Sequence, residues 1–184
     1  DEISYDEATF MEPLACVLRG IRTVRLKPAS SMLILGSGIS GLLYVHLARA
    51  LGAGLIVATD LIDYRLEQAR RFGADLTIRA DEDVVSRFKA SNNRMGADIV
   101  IVCTMAESAF EQAIRAVERG GVILLFAPTM EGVTIPISVN ELFFRRDVTI
   151  TTSYAGSPED CVKALDLIRL KRVNVSNMIT HIFG

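Results

Sequence analysis

Short runs at residues 32–36, 55–59, 98–103 and 122–126, each nearly all apolar and rich in β-formers, alternate with stretches of helical periodicity. No other feature of the sequence limits the fold so strongly. A strand without polar alternation must be covered on both faces, and a helix between two such strands leaves them parallel. The pattern therefore predicts an α/β fold with a doubly wound, mainly parallel six-stranded sheet and helices on both faces. Weaker strands at 75–78 and 148–153 complete the six. Helices are expected over about 39–52, 62–73, 81–90, 106–118 and 158–170. Arg119-Gly120-Gly121 reads as a turn into the strand at 122–126. With 184 residues and no linker, repeat or low-complexity tract, the chain suits a single core.

Ahead of the sheet, Ser4-Tyr5-Asp6-Glu7 has the S-x-x-E form of a helix capping box. Phe10, Leu14, Val17 and Ile21 follow at helical spacing, so a helix is expected to run to about Gly20, kinked by Pro13. Near the other end, residues 133–137 (Val-Thr-Ile-Pro-Ile) alternate apolar and polar positions, and Pro136 among them suggests an edge strand. Such an edge serves either as a short surface strand or as a site of pairing with another subunit.

Composition removes several function classes. The formal charge of −2 provides no electrostatic footprint for nucleic acid. The apolar runs fall short of a membrane span, and the first residues lack the basic and apolar regions of a signal peptide, so a cytoplasmic protein is expected. Cys16, Cys103 and Cys161 are scattered and odd in number, matching neither a disulfide framework nor a Cys-rich zinc site, and are expected to be buried thiols.

The first strong strand ends in Leu35-Gly36-Ser37-Gly38-Ile39-Ser40-Gly41, a G-x-G-x-x-G that opens a predicted helix. Glycines in that pattern also serve ordinary turns, but here Asp60 ends the next strand, 24 positions after Gly36. In a dinucleotide site Gly36 permits the tight turn, Gly38 admits a pyrophosphate and Gly41 lets helix and strand pack closely. Backbone N–H groups near Ile39 and Ser40 then meet the phosphate at the positive end of the helix. Asp60 suits the ribose hydroxyls and opposes the extra phosphate of NADP, which favours NAD; Arg65, five residues on, can contact the adenosine or offset that repulsion. Asp60 also suits the cap of the helix starting near Ile62. His46 and His181 read as structural residues, since neither sits at a strand end, and no zinc-protease, redox or nucleophile-elbow motif is present.

A wider set of residues resembles the zinc-dependent medium-chain dehydrogenases, most closely their sorbitol (polyol) and threonine dehydrogenase branch. It comprises Glu12-Pro13-Leu14, the glycine loop, Ala58-Thr59-Asp60-Leu61 with Arg65-Leu66, Phe72-Gly73-Ala74-Asp75, Val102-Cys103-Thr104, Gly120-Gly121 and Ile179-Thr180-His181. The resemblance implies a Rossmann domain, residues 25–184, preceded by a junction helix over 1–24, with the GroES-like zinc catalytic domain absent from the chain. It implies that the complete enzyme oxidises a secondary alcohol to a ketone, zinc lowering the pKa of the alcohol and NAD taking the hydride. It places Cys103 and Thr104 where the halves of the cofactor meet, and Ala127, Ser153 and Tyr154 at the nicotinamide carboxamide. Glu12 matches a zinc ligand or a carboxylate beside the metal, and also suits a solvated helix glutamate. Departures from the family's pattern fall at Val102, Met105 and Phe126-Ala127. A homo-oligomer using the 133–137 edge is implied as well. A non-catalytic nucleotide-sensing domain shares the same loop and acid and stays open as an alternative.

Overall fold

The computed structural model describes residues 3–182. Residues 1 and 2 of the expected junction segment, and 183 and 184 at the other end, lie outside the described residues.

Six strands form one parallel sheet: β1 (Met32–Leu35), β2 (Ile56–Asp60), β3 (Leu76–Arg79), β4 (Ala97–Val102), β5 (Val117–Leu125) and β6 (Thr149–Thr152). Their spatial order is β3-β2-β1-β4-β5-β6, and every pairing is parallel. The sheet's topological switch lies between β1 and β4, where a doubly wound sheet opens a crevice at the carboxyl ends of its strands.

Side-chain alternation explains why the strands are apolar throughout. Met32 and Ile34 of β1, with Ile99 and Ile101 of β4, enter one core; Leu33 and Leu35, with Val100 and Val102, enter the other. The first core is closed by α2 (Met11–Thr23), α3 (Ile39–Ala50) and α7 (Pro158–Arg169), together with Ala69 of α4 (Asp63–Arg71). The second is closed by α5 (Val84–Ser91) and α6 (Glu107–Ala116). Both faces are thus covered, as the unbroken apolar runs require.

Several local expectations change. The capping box forms: Ser4 Oγ accepts from Glu7 N, and the Glu7 carboxylate accepts from Ser4 N. It caps only the short α1 (Tyr5–Ala8), however, and the chain restarts as α2 after Thr9-Phe10. Pro13 therefore falls in the first turn of α2, where no intrahelical N–H is needed, so the expected kink becomes a break upstream of it. Helix α6 ends at Ala116, and β5 begins at once. The Arg119-Gly120-Gly121 turn sits inside β5 as an irregularity, because Ala97 pairs with Val117 while Ile99 pairs with Val122. Gly120 takes φ +71°, and its N–H donates to Arg146 O at 2.7 Å.

Residues 133–137 are not a strand, and β6 is the edge of the sheet. Pro136 removes a ladder donor, and the segment is held by its side chains instead: Ile135 packs on the second core. The three cysteines are free but half-buried rather than fully buried.

Candidate functional site

The glycine loop leaves β1 under tight local control. Gly36 adopts φ +95°, a region that favours glycine, and a Cβ there would meet Cys103 O at 3.1 Å. Gly41 is required by packing, since its Cβ would lie 1.9 Å from Gly36 O, so only a glycine lets α3 approach the turn. Gly38 differs from both. Its φ of −68° is ordinary, and a Cβ would find nothing within 4 Å. The space in front of it is therefore open to a ligand. Gly38 is the N-cap of α3 and brings no side-chain cap, so the first N–H groups of α3, at Ile39, Ser40 and Gly41, have no intrahelical acceptor. Unpaired donors at a helix N-terminus fit a phosphate.

Ser37 ties this loop to the end of β2. It is fully buried; its Oγ donates to Thr59 O at 3.0 Å and its N–H donates to Asp60 Oδ2 at 2.9 Å. Asp60 Oδ1 accepts from Ile62 N at 3.0 Å. The carboxylate, only 8% exposed, thus fixes the glycine loop and the entry to α4 together. It is not the N-cap of α4, which is Ile62 without a side-chain bond. Arg65 Nη1 stands 3.5 Å from Asp60 Oδ2 and partly offsets its charge.

These groups open on one cleft of about 480 Å3, lined by Gly36, Gly38, Asp60, Arg65, Cys103 and Thr104 from the expected set. The far wall was not legible in the sequence: Ala80 and Asp81 after β3, and Ala106, Ser108, Ala109 and Gln112 at the start of α6. Gln112 Nε2 donates to Ala80 O at 3.1 Å, bridging these two walls. Arg79, paired with Asp63 and Asp81, holds the Asp81 carboxyl below its usual range. Burial pushes the Cys103 thiol up, which makes it a neutral wall rather than a nucleophile.

The remaining expected residues stand apart. Ile39, Ser40 and Gly41 form the first turn of α3 and do not line the cleft with their side chains. Ala127, Ser153 and Tyr154 follow β5 and β6 at the same carboxyl edge of the sheet, outside the cleft. The Ala127 N–H already donates to Val102 O at 3.0 Å. Ser153 Oγ is buried without a partner, and Tyr154 is exposed. Glu12 is exposed on α2, where its Oε1 accepts from Cys16 Sγ at 3.1 Å. Burial, followed by the Glu12 carboxylate, pushes the Cys16 thiol up to about 11. Among the described residues no group of three or more His, Cys, Asp or Glu side chains could hold a metal, so the described donors do not fit zinc. His46 is structural, as expected: it stacks on Phe72 with ring centroids 5.4 Å apart and accepts from Asn174 N. His181 is exposed near the end of the described chain, away from the cleft. No helix among the described residues is long and apolar enough to cross a membrane.

Residues 40–169 match the family described as zinc-binding dehydrogenase. The chain is 29% identical to a sorbitol dehydrogenase of Gallus gallus over 186 aligned residues, covering 100% of this chain and 51% of that protein. It is 32% identical to a zinc-type alcohol dehydrogenase-like protein of Escherichia coli (strain K12), covering 100% and 52%. Among solved structures, an alcohol dehydrogenase from Thermus sp. ATN1 superimposes with a TM-score of 0.89 at 26% identity, over 98% of this chain and 52% of that one. A zinc-binding dehydrogenase from Sinorhizobium meliloti 1021, solved bound to NADP, gives 0.87 at 28% identity, over 93% and 50%. The chain spans about half the length of the curated relatives it matches.

Proposed function

This chain belongs to the zinc-binding dehydrogenase family, and from that membership we propose that it is the NAD-binding half of a zinc-dependent alcohol or polyol dehydrogenase. The observation that carries the reading is the pairing of open space at Gly38 with the Asp60 carboxylate in one cleft, a phosphate seat and a ribose acceptor side by side. Residues 25–184 are the cofactor domain and 1–24 the junction segment. The zinc catalytic domain lies in the half of the relatives' length that this chain does not span.

Within the chain, the N–H groups of Ile39 and Ser40 hold the pyrophosphate and Asp60 accepts from the adenosine ribose. Arg65 lies against the adenosine, while Cys103 and Thr104 form the neutral wall beside the middle of the cofactor. Ala127, Ser153 and Tyr154, further along the sheet edge, orient the nicotinamide carboxamide. NAD supplies the ring that accepts a hydride from a secondary alcohol; this chain's residues bind and orient it. Because the described donors do not fit zinc, no zinc step is assigned to them. Glu12 is at most one contributor to a metal site completed elsewhere.

NAD is preferred over NADP because a 2′-phosphate beside Asp60 brings like charges together in a partly desolvated site. The NADP-bound relative from Sinorhizobium meliloti makes this choice worth direct measurement. Calorimetric titration with NADH and with NADPH tests it, the calorimeter being needed because the chain has no tryptophan. Saturable NADH binding that is lost in Asp60→Ala supports the reading, and equal binding of both nucleotides overturns the preference. Turnover of an alcohol by the isolated chain with NAD and zinc would overturn its assignment as a half-enzyme. The resemblance set out above further implies a homodimer, built here through the 133–137 segment, which is not a strand of the sheet, and a cytoplasmic setting.

A further inference from the structure

Between Gly36 and Gly38 the glycine loop carries one side chain, that of Ser37, and Gly38 caps α3 without a side-chain bond. The hold on the loop comes from the end of β2. Gly36 N and Ser37 Oγ both donate to Thr59 O at 3.0 Å, and Ser37 N donates to Asp60 Oδ2 at 2.9 Å. Ser37, Thr59 and Asp60 are all buried. With little water to replace them, these bonds are costly to lose.

The Asp60 carboxylate serves two backbone donors at once: Oδ2 accepts from Ser37 N, and Oδ1 accepts from Ile62 N at 3.0 Å. An ionised carboxylate accepts on both oxygens and donates on neither, and its hydrogen bonds are stronger than neutral ones. Each oxygen has a second lone pair, which leaves capacity for the ribose hydroxyls. Asparagine has the same shape but one accepting oxygen, so its NH2 group would face either Ser37 N or Ile62 N, donor against donor. The loop thus depends on an acid at this position, apart from any contact the acid makes with a ligand.

We infer that Ser37 and Asp60 are positioning residues for the diphosphate: they keep the Ile39 and Ser40 N–H groups in the arrangement that receives it, although neither of their side chains touches it. The inference rests on the cofactor reading of the cleft. A loop released from β2 samples other arrangements, and apparent affinity falls with the fraction that stays competent. Charge alone demands the opposite sign. Taking away an anion beside a diphosphate seat lessens repulsion and tightens binding. A ligand with phosphates and no ribose tells the two effects apart.

The experiment is a titration of the 15N-labelled chain with inorganic pyrophosphate, followed at the backbone amides of Ile39, Ser40 and Gly41, with NADH calorimetry on the same preparations. Saturable shifts at those amides are expected in the wild type. Asp60→Asn should weaken pyrophosphate binding about three- to tenfold despite removing a negative charge, because the loop is no longer fully held. Ser37→Ala changes no charge and removes only the bond to Thr59 O, so a loss of about two- to tenfold is expected, the worth of one neutral hydrogen bond. Urea unfolding confirms that each variant is folded during the titration; if Asp60→Asn is not, Ser37→Ala decides alone. Unchanged or tighter pyrophosphate binding in either folded variant overturns the inference. A wild type that binds NADH while its loop amides ignore pyrophosphate overturns it too and leaves the NAD reading standing. Pyrophosphate binding weakened in the variants, in a chain that does not bind NADH, supports the positioning role and sinks the NAD reading instead.

Discussion

Gly38→Ala separates ligand binding from folding at a single methyl group. Gly38 has φ −68° and ψ −168°, which alanine adopts freely, and its Cβ would meet no atom within 4 Å. Two small terms then oppose each other. Alanine narrows the unfolded ensemble, stabilising by about 0.4–1 kcal/mol, while as an N-cap it is poorer than glycine by roughly 0.5–1 kcal/mol. The net change in stability is within about 0.5 kcal/mol. Binding has no such cancellation, because the methyl occupies the approach to the free N–H groups of α3. Loss of one hydrogen bond to a charged phosphate is worth about 1.5–3 kcal/mol, or roughly ten- to a hundredfold in Kd. Urea unfolding and NADH calorimetry on the same preparation measure both quantities. Gly41→Ala is the contrasting control: its Cβ would lie 1.9 Å from Gly36 O, so overpacking of about 1–3 kcal/mol should lower stability and binding together. Undiminished NADH binding by Gly38→Ala would refute the assignment of this space to a phosphate, and a stability loss above about 1.5 kcal/mol would refute the geometry.

Tyr44 is fully buried with its hydroxyl unpartnered, while its ring meets Phe126 edge-on at 5.0 Å. Tyr44→Phe keeps the ring contact and removes the unmet group, so the urea midpoint should hold or rise, by up to about 1 kcal/mol; a clear loss would reveal a hidden partner. The Glu7 carboxyl is held down to about 2 by Lys171 first, then by Ser4 N–H and the Ser176 and Ser4 hydroxyls, against an ordinary value of 4.5. Its contribution is therefore complete above pH 4.5 and is lost as pH falls towards 2. The stability gap between wild type and Glu7→Gln should close across that window, and a gap that persists at its acid end would sink the attribution. Ile137, 38% exposed on the proposed dimer segment, gives a fourth test. Ile137→Asp should shift sedimentation towards monomer with little change in melting, whereas a wild type that is already monomeric at high concentration removes the dimer.

The strands were legible because each is decided by its own side chains. Met32 to Leu35 are buried on both faces, and a run so apolar has few other places to go. The placement of Gly36, Gly38 and Asp60 could be read for a related reason: the turn, the open approach and the strand-end acid lie within one β-α-β unit, where spacing along the chain largely sets spacing in the fold. Other features depended on groups brought together from afar. Pro13 breaks nothing, because α1 ends at Ala8 and the chain restarts as α2 at Met11, which places the proline in a first turn. Residues 133–137 alternate like a strand, yet Pro136 lacks a ladder donor, and Ile135 gains more by packing on the second core. Ser37 looked like filler between glycines until the sheet placed it beneath Thr59 and Asp60. The far wall of the cleft and the meeting of His46 with Asn174 likewise required the sheet to be assembled. The sequence by itself determined the parallel sheet and the glycine turn after β1, since burial and turn geometry are local demands. Only the tertiary structure decided which buried polar groups find partners and which, such as Tyr44 and Ser153, do not, because a hydrogen bond depends on distance in space rather than separation along the chain.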